Sequence, residues 1–126
     1  MIINDPTTLA EVTAAFARYE QALLDGDAAT LNALFVDSSL TVRYGVNELQ
    51  YGFAEIVAYR RQQRGFDRTL DRLVITTYGT DAATASTLFQ RPDAPGQIGR
   101  QMQTWIKLDG SWRVAAAHVS MMATPA

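Results

Sequence analysis

The chain has 126 residues, 48% of them hydrophobic and 19% charged, which is enough for one domain (1–126) with a real core and too few for two. A net charge of −2 gives no general surface for nucleic acid or anionic membrane, and the absence of cysteine excludes disulfides, thiolate metal sites and a cysteine nucleophile. One histidine, His118, cannot build a histidine-rich metal site, and no run approaches the length of a membrane span.

Met1 to Asp5 has neither a basic nor an apolar leader region, so a cytoplasmic protein without a signal peptide is expected. Asp5-Pro6 starts a helix, with Asp as N-cap and Pro at the first helical position. Leu9, Val12, Phe16, Tyr19 and Leu23 then follow one face, predicting a helix over 7–24 that ends at Gly26. Asp27 caps a short second helix over 28–35. A strand follows over 41–45, then a turn near Val46-Asn47 and a third helix over 53–63. The stripe of that helix runs Phe53, Ile56, Val57 and then Arg60, with Arg61 expected to point outward.

The second half reads as strands only, over 70–78, 83–91, 100–108 and 111–122. Asp109-Gly110 marks the last hairpin turn, and Pro92 to Gly96 reads as a loop. Helices first and long antiparallel strands last is an α+β pattern. A curved sheet wrapped on the first helix makes a cone with an interior cavity.

Two polar side chains sit on faces that should be core. Arg43 alternates with Val42 and Tyr44, so it shares a face with Thr41. A guanidinium aimed inward is costly unless an anion or hydrogen-bond acceptors meet it, and its planar fork suits a carboxylate. Tyr19 lies on the apolar stripe of the first helix and is a candidate proton donor or acceptor near such a cation. Arg60 is a second candidate for a carboxylate, though cations at a helix end also simply favour the helix dipole.

On the strand over 100–108, Gln101, Gln103 and Trp105 share one face, and an amide beside an indole suits a planar urea-like group. On the last strand, Ala115, Ala117 and Val119 share one face and leave room as a cavity wall would. His118 falls on the other face with Trp112, Val114 and Ala116, and a lone histidine on an apolar face is more often a core residue than a catalyst. No acid is placed to complete a triad, and Glu48 and Asp37 lie in connections where either can pair with an arginine.

The stretch Glu11 to Leu24, Thr41-Val42-Arg43-Tyr44-Gly45, Tyr51-Gly52, Ala58-Tyr59-Arg60, Gly99-Arg100-Gln101 with Gln103-Thr104-Trp105, and Ala116 to Ser120 together resemble the AtzH-like family, which includes oxalurate catabolism proteins of the HpxZ type. More broadly the chain resembles the SnoaL-like, nuclear-transport-factor-like (cystatin-like) group. The resemblance implies three helices against a curved antiparallel sheet, a homodimer through the outer sheet face, and no cofactor. It also implies a metal-independent decarboxylating amidohydrolase acting on 1,3-dicarboxyurea, with Tyr19 and Arg43 as catalytic residues. Met102 and the run Asn47-Glu48-Leu49-Gln50 depart from the family's pattern.

Three functions follow as expectations. The first is a hydrolase for a carboxylated urea or ureido acid, with Arg60, Gln103, Trp105 and His118 binding the substrate around Tyr19 and Arg43. The second is a non-catalytic accessory or small-anion-binding partner of an amidase. The third, a dehydratase or isomerase on the same cone, ranks last because the chain offers one histidine and no acidic residue on its inward stripes.

Overall fold

A computed structural model describes residues 1–126. Helix α1 spans Pro6–Asp25, held at its start by Asp5, whose carboxylate accepts from the Thr8 amide at 3.0 Å and the Thr8 hydroxyl at 2.9 Å. It ends at Gly26, in the left-handed region at φ 69°. A Cβ on Gly26 would lie 2.5 Å from the Gly65 amide nitrogen. Only two glycines allow the chain after the third helix to pass this close to the end of α1.

Helix α2 spans Ala28–Ala33, shorter than the sequence pattern suggests. Phe35 has left the helix to bridge Val114 in parallel, and Val36 donates to the Val114 carbonyl at 2.9 Å. Strands β1 (Val42–Tyr44) and β2 (Leu49–Tyr51) form a short antiparallel pair, followed by α3 (Phe53–Arg60). Beyond Arg60 the chain tightens into i→i+3 bonds, Gln62 to Tyr59 and Gln63 to Arg60, so the helix stops short of 63.

Strands β3 (Thr69–Tyr78), β4 (Ala82–Gln90), β5 (Gln97–Leu108) and β6 (Ser111–Ala123) complete one six-stranded, unclosed sheet in the order β2-β1-β6-β5-β4-β3. Every pairing is antiparallel except β1 with β6. The sheet curves around α1, whose buried Val12, Phe16 and Tyr19 pack with Leu31, Phe35, Ile56, Trp105 and Val114. This is the α+β cone expected from the order of elements.

One irregularity decides which residues face inward. Trp105 pairs with Val114 but Thr104 pairs with Ala116, so Ala115 is an extra residue in a β-bulge. The alternation resets there. Trp112 and Val114 are buried, as are Ala117 and its partner Gln103, while Ala116 and His118 face out. The sequence expectation carried strict alternation through the bulge, and therefore put His118 on the face of Trp112 and Val114. That placement is corrected: His118 is exposed on the outer face, edge-on to Tyr44 with ring centres 5.9 Å apart.

Candidate active site

The stripe of α1 aims Tyr19 into the cone, where it is 3% exposed and has Phe16, Phe35 and Trp105 around it at 6.3, 6.3 and 6.4 Å between ring centres. Strand β1 aims Arg43 inward beside Ala117 of β6, its register partner, whose small side chain leaves room for the guanidinium. Nη1 of Arg43 donates to Glu48 Oε1 at 2.6 Å and to Gln50 Oε1 at 2.8 Å. Gln50 is its cross-strand partner on β2. The guanidinium also stacks over the Tyr59 ring of α3, 5.0 Å from its centre. The hydrogen bonds use only Nη1, so the rest of the fork is left to a guest.

Tyr19 and Arg43 line one cavity of about 330 Å³, together with Glu48, Tyr59, Arg68 and Gln101. That volume suits a small molecule rather than a macromolecule. Arg68 enters from the segment before β3. Its Nε and Nη2 donate to the two carboxylate oxygens of Glu20 at 3.0 and 2.6 Å, and Nη1 donates to Gln101 Oε1 at 3.1 Å. It stacks on Phe89, 4.7 Å from the ring centre. That ring lies over Gly99, where a Cβ would come within 2.1 Å of it. At the rim, Arg91 forks onto Asp93 at 2.8 and 2.7 Å and stacks on Phe66.

The electrostatics follow from these contacts. Burial acts to raise the Glu48 carboxyl, but the hydrogen bond and charge of Arg43 more than offset it, and Glu48 is held below the usual carboxylate value. Burial, with the Glu48 charge behind it, pushes the Tyr59 phenol up and keeps it protonated. Burial lowers Arg60, opposed by Tyr19, whose oxygen favours the cation although Nε and Nη2 of Arg60 have no hydrogen-bond partner.

The residues expected from the sequence are distributed over three depths. Tyr19 and Arg43 meet the cavity. Arg60 is 1% exposed while Arg61 is exposed, and Arg60 lies behind the cavity wall, donating from Nη1 to Gln63 Oε1 at 2.7 Å. Gln103 and Trp105 face inward but are sealed in the core, where the indole N–H donates to Gln103 Oε1 at 3.0 Å. They support Tyr19 and do not line the cavity. His118 is on the other side of the sheet.

Sequence reasoning missed Tyr59 and Arg68 in the cavity wall and Glu20 as the partner of Arg68; it read Glu48 only as able to pair with an arginine, and Gln101 as sharing a face with Gln103 and Trp105 without a role in the site. Gln101 had a readable signal, since it shares the inward face of Gln103 and Trp105. Arg68 had none, because it sits in an irregular segment between α3 and β3. No group of three or more His, Asp or Glu side chains is placed to hold a metal ion.

The AtzH-like family matches residues 1–125. A protein of unknown function from Pectobacterium atrosepticum is 52% identical, with 96% of this chain and 95% of that chain covered and a TM-score of 0.92. A cystatin-like fold protein from Burkholderia xenovorans is 46% identical over 99% of both chains, with a TM-score of 0.95. An NTF2-like protein of unknown function from Pseudomonas putida, 19% identical over 90% of this chain and 86% of that one, has a TM-score of 0.76 and shares the fold. No curated protein matches the chain.

Proposed function

The chain belongs to the AtzH-like family, and from that premise we propose that it is a small, metal-independent decarboxylating amidohydrolase for a carboxylated urea or ureido acid. The observation that carries this reading is the shared cavity of Tyr19 and Arg43. A planar N–C(=O)–N unit enters with its acceptor oxygens toward the open fork of Arg43. Water adds to the carbonyl carbon, and the oxygen that becomes negative is met by the guanidinium. A preorganised donor at such an oxyanion lowers the barrier by about 2.7–4 kcal/mol. The C–N bond then breaks with its electron pair on nitrogen, the Tyr19 hydroxyl supplies the proton that nitrogen needs, and the phenolate so formed takes the proton that the added water gives up. The carbamate half loses carbon dioxide unaided. Trp105, tied by its indole N–H to Gln103, packs edge-on against Tyr19, and Arg60 interacts with the Tyr19 oxygen.

The test is turnover of ureido acids, 1,3-dicarboxyurea among them, followed by ammonia release. Replacing Arg43 with Ala is expected to abolish turnover while circular dichroism keeps the spectrum of the folded protein. Undiminished turnover in that variant would end the assignment.

A second reading is favoured by a separate observation. The outer sheet face carries exposed Tyr44, Tyr51, Met102 and His118 on neighbouring strands, with Tyr44 and Tyr51 sharing a hydrogen bond of 2.9 Å between their hydroxyls. In this reading the chain is an accessory or anion-holding partner that docks an amidase there. Stable co-purification with an amidase, and no turnover of any ureido acid, would favour it. In the enzyme reading the same face joins two copies as a homodimer.

A further inference from the structure

Three arginines are buried in this protein, Arg43, Arg60 and Arg68. Two of them have a carboxylate within ion-pair distance, Glu48 for Arg43 and Glu20 for Arg68. Rim Arg91 has Asp93. Arg60 has none. The charges around the cavity therefore cancel in pairs and leave one positive charge over, that of Arg60.

Arg60 stacks on Phe35 at 5.1 Å and uses Nη1 on Gln63, while its Nε and Nη2 are sealed from water without a hydrogen-bond partner, and the Tyr19 oxygen that favours the cation is not a carboxylate. A buried guanidinium left this way is costly unless a negative charge comes near. Gln63 lines the cavity, so Arg60 stands one side chain behind its wall, and across a poorly polarisable interior its charge is felt there. The other unmet groups on the inward face of β5 are donors as well, the Nε2 atoms of Gln101 and Gln103. The two remaining orphans, Asn32 Oδ1 and Thr77 Oγ1, belong to residues outside the cavity wall. The interior thus lacks acceptors and one unit of negative charge.

We propose that the cavity is built for a monoanion, a ureido acid bearing a single carboxylate, in preference to a dicarboxylated one. This rests on the ureido-acid reading of the site and narrows it. A first carboxylate is compensated by Arg60. A second meets Glu48 at Arg43 and Glu20 at Arg68, with no cation left over. Glu48 is the one that can yield: it is held through one nitrogen of its arginine and its side chain is 26% exposed, against a two-pronged bond and 15% for Glu20. A dianion must therefore displace Glu48 to bind.

Two ligands of nearly equal size separate charge from shape: N-carbamoylasparagine, a monoanion, and N-carbamoylaspartate, a dianion. Calorimetric titration of the intact protein is expected to show the monoanion bound at least about tenfold more tightly. Arg60→Met should weaken the monoanion by about tenfold or more, and Arg60→Lys, which keeps the charge, should stay within about threefold of the native protein. Glu48→Gln should bring the dianion to within about threefold of the monoanion. Equal or tighter binding of the dianion by the native protein overturns the proposal, as does failure to bind either ligand. The native comparison needs no variant to fold. Binding is read without turnover, so a protein that prefers the monoanion but hydrolyses nothing ends the hydrolase reading alone. Hydrolysis with a preference for the dianion ends this proposal alone.

Discussion

Glu20 and Arg68 meet through both oxygens of one side chain and two nitrogens of the other, and both are largely withdrawn from water. An ion pair of this kind adds little net stability over apolar residues of the same volume, yet removing one partner strands the other. Glu20→Ala leaves Arg68, whose side chain is 2% exposed, with Gln101 and the Phe89 ring as its remaining company. We expect that variant to lose about 3 kcal/mol in urea unfolding, toward the low end of the range for buried pairs because Glu20 is partly reached by solvent. The double variant Glu20→Leu/Arg68→Met should recover most of the loss. A single variant as stable as the native protein would mean that water reaches Arg68 in solution. Arg43 bonds through Nη1 alone whereas all three nitrogens of Arg68 are engaged, which is why one reads as a group that meets substrate and the other as part of the wall.

At the level of elements, both N-terminal helices are started by aspartates that accept from a residue three positions on. The Asp5 carboxyl is lowered from its ordinary value of 3.8, first by the Thr8 amide and then by the Thr8 hydroxyl, and Asp27 likewise by the Thr30 hydroxyl and amide. A depressed carboxyl contributes stability that is fully present above its unfolded pKa and is lost as pH falls through the folded one. The loss therefore lies below about pH 4. Asp5→Asn with Asp27→Asn keeps a capping oxygen at each helix but removes the proton linkage. The urea midpoint of the native protein is expected to fall further between pH 7 and pH 3 than that of the double variant, and parallel falls would locate the acid sensitivity elsewhere. These caps were legible because the signal is local: Asp-Pro followed by a 3.6-residue stripe leaves little choice. The inward turn of Arg43 was legible for the same reason, from alternation over a few residues. What escaped is what needs tertiary partners. The bulge at Ala115 lies next to a run of further alanines, with no glycine or proline to mark it, so the face of His118 could not be read. Arg68 becomes a cavity residue only because Gly26 and Gly65 let its segment lie against the end of α1.

For the molecule as a whole, the cone has one face turned on its helices and one turned out. The outward face is not an ordinary polar surface. Met102 is 60% exposed, Tyr51 53% and Tyr44 37%, and His118 connects them across β6. Register places Tyr44, His118 and Met102 side by side across β1, β6 and β5, and Tyr51 of β2 reaches Tyr44 through their hydroxyls, so the four form one patch. A contiguous apolar-aromatic patch of this kind is the surface that the proposed homodimer would cover. Two copies related by a twofold axis would bury it against itself, and a lasting dimer removes roughly 1,200–2,000 Å² from water in total. The homodimer predicts a mass in sedimentation equilibrium of twice the 13.9 kDa chain. Met102→Glu with Tyr51→Glu sets like charges against each other across such an axis and should return the chain to a monomer. Because both residues point away from the cavity, ureido-acid binding measured per chain should survive in the monomer within about threefold. A native protein that sediments as a single chain, or a double variant that remains dimeric, would show that the patch is not where copies meet.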